Sequence, residues 1–547
     1  MVTVWATMNA SSLAHLCGND QMRSRTSMWV GYLALTALGT SLARAQSLND
    51  PAPLAAGRGV AQLPRVVPRI PRELTAKPCT RKLKDNANLQ DALDRAKGGD
   101  VVCLFPGASY VGNFVLRNRG DTSWVVVRSD LAEGDVARAG ERIRPSKSAV
   151  LSKLVARPGG GASSALVASP GARGWYLLLL EITTDSVQSQ GPTALISLGG
   201  GDLRGSDGVA RYLVLDRVYA HGWPEQTLRR CVALNSGWTA IVDSWLDECH
   251  EKGADSQAIS GTSGPGPFLI ENNTLAGAGE NVMFGGSDPR TPGLVPSDIV
   301  LRRNHIVTPP HWMKRWTKKN IVETKNVRRL LVEENVIEGS WADGQDGYAI
   351  VLKSANQSGQ CRWCISADII VRRNLVRNVG AGINVNGLGG ARFPVDSTSR
   401  RIEITENYIE GVGAPPYHGA GRLWMLLSGT ENLLIAQNTS VAPPNAEVRA
   451  SLMLGSRKAA SAVNLVFERN VMTRGRYAIA GCGNPKTMME CLPGGRLSGN
   501  ILIGASRPED RFLPGFLPAP SAASAGGRAG MSRSTIERAT AGVVVER

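Results

Sequence analysis

The sequence predicts an all-β solenoid: a single-stranded, right-handed parallel β-helix with an amphipathic cap helix at its N-terminal end. Three observations predict it. An Asn-centred motif recurs about every 31 residues, apolar residues alternate before each Asn as they do in strands, and most repeats hold a second short apolar strand after a Gly-bearing turn, such as NVMFGG and YAIVLKS. A fixed period in this range indicates a repeat architecture.

The repeat is clearest in eight copies: FLIENNTL, IVLRRNHI, LLVEENVI, IIVRRNLV, IEITENYI, LLIAQNTS, LVFERNVM and RLSGNILI. Their asparagines are spaced 31, 31, 39, 33, 31, 32 and 30 residues apart, and they are Asn273, Asn304, Asn335, Asn374, Asn407, Asn438, Asn470 and Asn500. Helical solenoids are excluded because no amphipathic helix fits between copies, and a propeller blade needs a fourth strand.

Coiling gives these asparagines a structural task. Successive turns of a β-helix stack at about 4.8 Å, so each Asn can hydrogen-bond its counterparts above and below and form a ladder. Asn also tolerates the left-handed backbone conformation that turns need. We expect weaker upstream copies, YLVLDRVY and AIVDSWL, to place Asp216 and Asp243 in the same slot.

The segments outside the repeats have their own signatures. Two arginines, the apolar run 29–42 and a small-x-small triplet predict a signal peptide over 1–45, with Met22 or Met28 as alternative starts. Residues 46–78 are rich in Pro, Ala and Arg and are expected to be a linker. The β-helix is expected over 79–504, and the Pro-, Ala-, Ser- and Gly-rich residues 505–547 are expected to be a disordered tail.

The predicted cap is an amphipathic helix in NLQDALDRAKGGD, residues 88–100. Leu89, Ala92, Leu93 and Ala96 lie at helical spacing on one face, and two glycines end the helix. Such a cap covers the open end of a solenoid and protects its exposed strand edges.

The cysteine pattern fits an exported chain. Eight cysteines follow the leader as sequence neighbours, and an even count in an oxidising compartment suggests disulfides. Although eight cysteines allow 105 pairings, neighbour pairing is expected: Cys79 with Cys103, Cys231 with Cys249, Cys361 with Cys364, and Cys482 with Cys491. Redox or metal-binding roles for the Cys361–Cys364 element remain alternatives to a structural clip.

The net charge of +16 suggests a polyanionic partner, although a basic surface that only favours solubility is the alternative. Export favours an acidic polysaccharide over nucleic acid. No second long apolar stretch follows the leader, so we expect no membrane anchor. The predicted signal peptide indicates a secreted or periplasmic location. We expect the protein to be a monomer.

The chain resembles the pectin-lyase-like superfamily, and within it the secreted bacterial β-helix proteins. The resemblance covers about residues 80–505 and rests on the capped start, the Asn repeats and the block DSQAISGTSGPGPFLIENNTLAGAGENVMFGGSDP. It implies the β-helix fold, which carries lyases, hydrolases, esterases and binding proteins.

Two stretches are similar to the β-helix alginate and chondroitin lyases: GENVMFGG, and ETKN, which resembles a strand carrying calcium-binding glutamates and a lysine base. The resemblance implies that Lys325 is the base and that Glu323 lies near a metal ligand. The second glutamate of that family's strand is absent here. Calcium is therefore kept as a possible cofactor, and no metal ligand is assigned.

The residues themselves give a candidate site between 243 and 353. Glu323 and Lys325 are two apart on a predicted strand and therefore project from one face. Together with Glu280 they are the catalytic candidates, although an ordinary same-face ion pair would also explain them. The substrate-binding candidates are Asp255, Gln257, Asn281, Asn326 and Trp316. The basic run 314–319 is expected to be a solvated loop.

Three functions follow in order of preference. The first is a lyase acting on acidic polysaccharide, in which a base whose charge is disfavoured by neighbouring cations or burial removes a carbon-bound proton. The second is a non-catalytic carbohydrate-binding or envelope module. The third is a glycoside hydrolase that uses a carboxyl pair such as Asp255 and Glu280. The 39-residue interval from Asn335 to Asn374 is expected to form the rim of the site.

Overall fold

The structure is a computed structural model that describes residues 59–157, 163–186, 189–389, 393–455, 460–482, 487–508, 510, 513–521 and 529–544. These residues lie in one compact unit, Gly57–Arg547. The predicted signal peptide, 1–45, lies outside the described residues. None of the described helices is long and apolar enough to cross a membrane.

The fold prediction is confirmed: the chain is a right-handed parallel β-helix. It visits three parallel sheets in turn, and each strand pairs with the equivalent strand of the next coil. Sheet A contains the strands that precede the ladder asparagines, sheet B those that follow them, and sheet C the third strand of each coil. Their inward side chains form one continuous hydrophobic core along the solenoid.

Sheet A consists of Arg81–Lys82, Val101–Leu104, Val125–Ser129, Arg173–Leu178, Arg211–Asp216, Gly237–Val242, Phe268–Glu271, Ser297–Arg302, Val327–Glu333, Ser366–Arg372, Arg400–Thr405, Thr430–Ala436, Ala462–Val463, Val466–Glu468 and Arg496–Ser498. Sheet B consists of Ser109–Gly112, Ser152–Ala156, Leu180–Thr183, Tyr219–His221, Trp245–Cys249, Thr274–Gly277, His305–Val307, Val336–Ser340, Leu375–Val379, Tyr408–Glu410, Thr439–Val441, Val471–Thr473, Asn500–Ile503 and Phe516–Ala519.

Sheet C consists of Phe114–Leu116, Leu166–Ala168, Ile196–Leu198, Arg230–Leu234, Gln257–Gly261, Glu280–Phe284, Asn320–Thr324, Tyr348–Lys353, Ala381–Asn386, Arg422–Leu427, Ala450–Leu454 and Tyr477–Ala480. The α-helices of the described residues are Leu89–Asp94, Glu133–Val136 and Arg533–Ala539. The 3-10 helices are Arg72–Leu74, Pro145–Lys147, Pro292–Leu294, Pro310–Trp312 and Met488–Cys491.

The asparagine ladder forms as predicted. All eight asparagines are fully buried, and each of the first seven bonds to the next; for example, Asn335 donates from its backbone N–H and its side-chain amide to Asn374 Oδ1 at 3.0 and 2.9 Å. The same amide donates to the Leu301 carbonyl at 2.9 Å. Backbone groups that the buried turn would otherwise leave unpaired thereby find hydrogen-bond partners.

Two details of the ladder differ from the prediction. The left-handed residue is the one before each Asn, for example Glu334 with φ 55°. Asp243 takes that preceding position with φ 54°, and the slot itself is held by Ser244, whose backbone N–H donates to Asn273 Oδ1 at 2.8 Å. Asp216 pairs with Val242 and therefore lies two residues before the slot.

The cap helix is shorter than predicted but covers the N-terminal end of the solenoid as expected. It spans Leu89–Asp94, with Asn88 as its N-cap and a buried apolar face. Gln90 exchanges two hydrogen bonds with the backbone of Val115, at 3.1 and 2.8 Å, on the first strand of sheet C. A helix side chain thus satisfies the open edge of the sheet.

The predicted linker is packed where the structure describes it. From residue 59 the chain lies along sheet A, where the backbone of Ala61 donates to Glu403 at 3.0 Å and Arg65 forms an ion pair with Asp298 at 2.8 Å. The half-buried Glu403 and the buried Asp298 receive these donors and hold this Pro- and Arg-rich stretch against sheet A.

The described residues of 505–547 are also ordered, in contrast to the expected disorder. They add the last strand of sheet B and the helix Arg533–Ala539. Ile536 is buried against Val336 and Leu375 on the outer face of sheet B, and Arg533 pairs with Glu410 at 2.9 Å. A few apolar side chains suffice to hold this otherwise low-complexity segment because the sheet presents apolar partners.

All four predicted disulfides are present. Cys79 bonds to Cys103, Cys231 to Cys249, Cys361 to Cys364, and Cys482 to Cys491. The Cys361–Cys364 bond closes a loop within the long interval between Asn335 and Asn374, and both cysteines are fully buried. This arrangement favours the structural clip over the redox and metal-binding alternatives.

Candidate functional site

The candidate site is a group of polar side chains on four successive coils, at the outer face of sheet C. We call it the sheet C cluster, and it comprises Asp255, Gln257, Glu280, Lys319, Asn320, Glu323, Lys325 and Lys353. The parallel register brings it together: Glu280 pairs with Asn320, and Glu323 pairs with Val351, two residues before Lys353.

Strand alternation explains why Glu323 faces outward. Val322 and Thr324 point to the buried side of the Asn320–Thr324 strand, so Glu323 between them points away from the core. The preceding coil ends in Gly285, with φ 104°, and a Cβ there would lie 2.7 Å from the Cβ of Lys325. Glycine is required because the backbone passes directly against this lysine.

Glu323 is held by two lysines. It is completely buried, with Lys353 Nζ at 2.8 Å and Lys325 Nζ at 3.6 Å from its Oε1. Its Oε2 accepts from the side-chain amide of Asn320 at 2.7 Å. Burial opposes ionisation, but Lys353 and Lys325 outweigh it and lower the pKa of Glu323. The predicted same-face pair of Glu323 and Lys325 is therefore confirmed, with Lys353 as an additional partner.

Glu280 has the opposite electrostatic character. Burial, followed by the nearby carboxylates of Glu323 and Asp255, raises its pKa to about 7. Lys319 and a hydrogen bond from Gln257 at 2.8 Å oppose the rise only in part. Two buried carboxyl groups in one cluster thus have pKa values pushed apart, a pattern that accompanies acid–base chemistry.

The mouth of the cluster is formed by an ion pair between Asp255 and Lys319. Burial opposes the charge of Asp255, but its hydrogen bond with Lys319 lowers the pKa of the carboxyl. Both side chains remain partly exposed, whereas Gln257 and Glu280 are buried. The charged groups that a ligand would meet first are therefore Asp255 and the lysines.

Lys318 is buried, although the basic run 314–319 was expected to be a solvated loop. Its side chain is fully buried, and its ammonium donates to Asn281 Oδ1, Thr308 Oγ1 and the Asn320 carbonyl at 3.0, 2.8 and 2.9 Å. Burial lowers the pKa of Lys318 to about 7, against an opposing effect of Glu280. Its three hydrogen bonds link the sheet C strands that begin near Asn281 and Asn320 to Thr308, beneath the cluster.

Three predicted binding residues are placed away from the cluster. Asn281 points inward, where its amide donates to the Leu275 and Val307 carbonyls. Asn326 is buried and its amide lies 3.1 Å from Cys364 Sγ. The ring of Trp316 stacks on His250 with centroids 4.0 Å apart. Asn281 points away from the cluster because side-chain direction alternates along the strand that it shares with Glu280.

The predicted rim borders the cluster on one side. Gln345 lies in the loop that also carries Asp343 and Asp346, and its Oε1 accepts from the Asn320 amide at 2.9 Å. Asp343 accepts from the backbone of Lys318 at 3.1 Å. The loop closed by Cys361–Cys364 lies further along, against Asn326.

Sequence reasoning missed Lys319, Asn320 and Lys353 as members of the cluster. Asn320 and Lys353 each lie at an end of a sheet C strand, in NIVET and YAIVLK, and Lys319 immediately precedes the first of these strands. The signal that could have found them is the alignment of these third strands with one another, because residues at one register position of successive coils become neighbours.

A calcium ion does not fit the arrangement of these residues. Of the described residues, one group of three His, Cys, Asp or Glu brings its ligand atoms within 4.8 Å of one another, namely Cys79, Cys103 and Asp130, and its cysteines form a disulfide. Calcium sites gather several oxygen ligands around the ion. Here Glu323, the glutamate that the resemblance places near a metal, is already neutralised by lysines.

The cluster nevertheless has unmet hydrogen-bonding capacity. Two buried oxygens, Gln257 Oε1 and Asn320 Oδ1, make no hydrogen bond within the described structure. Buried polar atoms are nearly always paired in folded proteins, so a concentration of unpaired oxygens on one outer face favours a ligand site.

Comparison with known proteins gives structural similarity alone. No protein-family model and no curated protein matches the chain. Similar solved structures include a PL6-family alginate lyase, AlyGC, with 14% identity and a TM-score of 0.41, covering 83% of this chain and 56% of that one.

Two tailspikes give comparable values. The Dettilon tailspike shows 13% identity and a TM-score of 0.38, covering 82% of this chain and 68% of that one. The tailspike of E. coli bacteriophage HK620, in complex with a pentasaccharide, shows 11% identity and a TM-score of 0.38, covering 77% of this chain and 64% of that one. Such low similarity does not transfer a function, and the β-helix is established by the three sheets themselves.

Proposed function

We propose that this protein is a secreted or periplasmic polysaccharide lyase that cleaves an acidic polysaccharide by β-elimination at the sheet C cluster. The observation that carries the proposal is the joining of a buried, ionised Glu323 to two partly exposed lysines, beside a Glu280 whose pKa is about 7. The net charge of +16 and the four disulfides support an exported protein with an anionic substrate.

The proposed chemistry divides the roles among the cluster. Lys325 Nζ removes the proton from the carbon that bears the uronate carboxylate. The electrons of that C–H bond form a double bond to the adjacent carbon, and the bond from that carbon to the glycosidic oxygen breaks. Glu280 gives its proton to the leaving oxygen, and the ammonium of Lys325 returns a proton to Glu280 through water, which closes the cycle.

Lys325 is the better base of the two lysines. Lys353 makes the shorter contact with Glu323 Oε1, 2.8 Å against 3.6 Å, and is therefore the more firmly held of the two. A lysine that acts as a base must be able to lose its proton, whereas arginine keeps its charge in proteins. Replacing Lys325 by Arg thus preserves positive charge and removes the base.

The experiment is turnover of polyuronates and glycosaminoglycans by the wild type and by Lys325→Arg. We expect an unsaturated uronate product from at least one polymer, and a rate at least about 100-fold lower for the variant, as for loss of a general base. Lys84→Arg, on an exposed residue of the first coil and several coils away from the sheet C cluster, is the matched control. Unchanged turnover in Lys325→Arg would refute the assignment of the base.

A glycoside hydrolase is the second candidate, favoured by one observation. The raised pKa of Glu280 and the lowered pKa of Glu323 are the states that a general acid and its ionised partner need. Product analysis separates the two candidates, because hydrolysis yields saturated ends and β-elimination yields a double bond. Binding of the polymer without any product would favour the non-catalytic module.

A further inference from the structure

The charge of the substrate carboxylate must be offset before the neighbouring carbon can lose its proton. In an anion of this kind, a second negative charge develops as the C–H bond breaks, and a fixed cation at the carboxylate lowers that cost. The resemblance to alginate and chondroitin lyases implies calcium for this task, but the sheet C cluster does not gather calcium ligands.

Two lysines of the sheet C cluster present positive charge on the outer face of the sheet, beside Glu323. Two ammonium groups, those of Lys325 and Lys353, share the single carboxylate of Glu323. Glu323 is completely buried, whereas the side chains of Lys325 and Lys353 are 15% and 16% exposed. A ligand approaching sheet C therefore meets the two lysine head groups and not the carboxylate of Glu323 beneath them.

Lys353 is held in position from both ends. Its strand pairs with the Asn320–Thr324 strand, so that Val351 lies beside Glu323 and Lys353 follows on the same face. Its aliphatic stem runs beside Gly389, where a Cβ would lie 3.2 Å from Lys353 Cγ and Cδ. The ion pair with Glu323 fixes its ammonium at 2.8 Å. Such an arrangement pre-organises the cation before a ligand binds.

From this geometry we infer that Lys353 binds and neutralises the uronate carboxylate of the substrate, in place of a metal ion, while Lys325 acts on the adjacent proton. The inference rests on the proposed lyase function and names the group that recognises the acidic substrate. It makes cleavage independent of divalent cations and makes Lys353 a determinant of specificity for a free carboxylate over its ester.

The test compares Lys353→Met with Lys353→Arg and with the exposed control Lys84→Met. We expect Lys353→Met to lower kcat/KM at least about 100-fold on the acidic polymer, a loss typical of a removed charge-stabilising group. Lys353→Arg should stay within about tenfold of the wild type, since it keeps the cation, in contrast to Lys325→Arg. Circular dichroism and thermal melting establish that each variant is folded.

Two readouts separate carboxylate recognition from a structural role. On the methyl ester of the same polymer, which has no carboxylate charge, Lys353→Met should lose much less of its kcat/KM than on the acid. EDTA should leave wild-type cleavage unchanged, and added Ca²⁺ should not restore Lys353→Met. Equal losses on acid and ester, or wild-type activity that EDTA abolishes and Ca²⁺ restores, would overturn the inference.

Binding measurements keep the inference testable if no polymer is cleaved. Calorimetry with an oligouronate in EDTA would then show whether Lys353→Met weakens binding at least about tenfold while Lys84→Met does not. That result would uphold carboxylate recognition by Lys353 although the lyase proposal had failed. Absence of oligouronate binding by the wild type, or equal binding by Lys353→Met, would overturn the inference itself.

Discussion

Replacing Glu280 by Gln tests the electrostatics of the sheet C cluster without any assumption about the substrate. Burial and the carboxylates of Glu323 and Asp255 raise the pKa of Glu280 to about 7, from an ordinary value of 4.5. The folded protein therefore keeps a proton in a pH range where the unfolded chain has lost it. The stability that this proton provides is fully present below about pH 4.5 and is lost as the pH rises through about 7.

The size of the effect follows from these two values. A tenfold change in proton affinity is worth about 1.4 kcal/mol, so a rise from 4.5 to about 7 corresponds to about 3 kcal/mol. Gln is neutral at every pH and has nearly the same shape. The free energy of unfolding of Glu280→Gln, relative to that of the wild type, should therefore increase by about 3 kcal/mol between about pH 4.5 and pH 8.

Urea unfolding of both proteins at several pH values across this range measures the difference. Glu431→Gln, on sheet A and remote from the cluster, controls for the loss of one carboxylate from the surface. A constant difference between Glu280→Gln and the wild type across the whole range would refute the electrostatic account of the cluster. The same result would remove the reason for treating Glu280 as a proton donor.

Three further changes test the scaffold and its link to the site. Asn374→Ala should lower the free energy of unfolding by about 3 kcal/mol or more, measured in urea, because two buried donors of Asn335 lose their acceptor. Deletion of 529–547 should lower the melting temperature, because it uncovers apolar side chains of sheet B. Gly285→Ala should lower polyuronate turnover at least about tenfold, because the new Cβ meets Lys325. An unchanged value in any of these measurements would contradict the effect that is assigned to the corresponding contact.

The sequence was sufficient for the scaffold because the ladder repeats one residue type at one place in every coil. It was misleading upstream, where Asp243 occupies the left-handed position and Ser244 takes the slot. A short polar side chain suits both positions, so residue type alone does not separate them. The strand register does, and it becomes visible only when neighbouring coils are paired.

The contacts within the site were predicted only between members that are close in the chain. Period-two alternation placed Glu323 and Lys325 on one face, and the structure confirms their ion pair. The contact of Lys319 with Asp255 spans 64 residues, and the contact of Lys353 with Glu323 crosses from one coil to the next. Coils differ in length through their loops, so such partners cannot be found by counting along the sequence.

The most direct test of the account is the product formed when the purified wild-type protein is incubated with a panel of alginate, pectate and glycosaminoglycans in EDTA. The account predicts cleavage of at least one acidic polymer, with a double bond at the new non-reducing end of the product. It also predicts no cleavage of a neutral polysaccharide. Saturated products, or no cleavage of any acidic polymer with or without Ca²⁺, would contradict the proposal that this β-helix is a lyase.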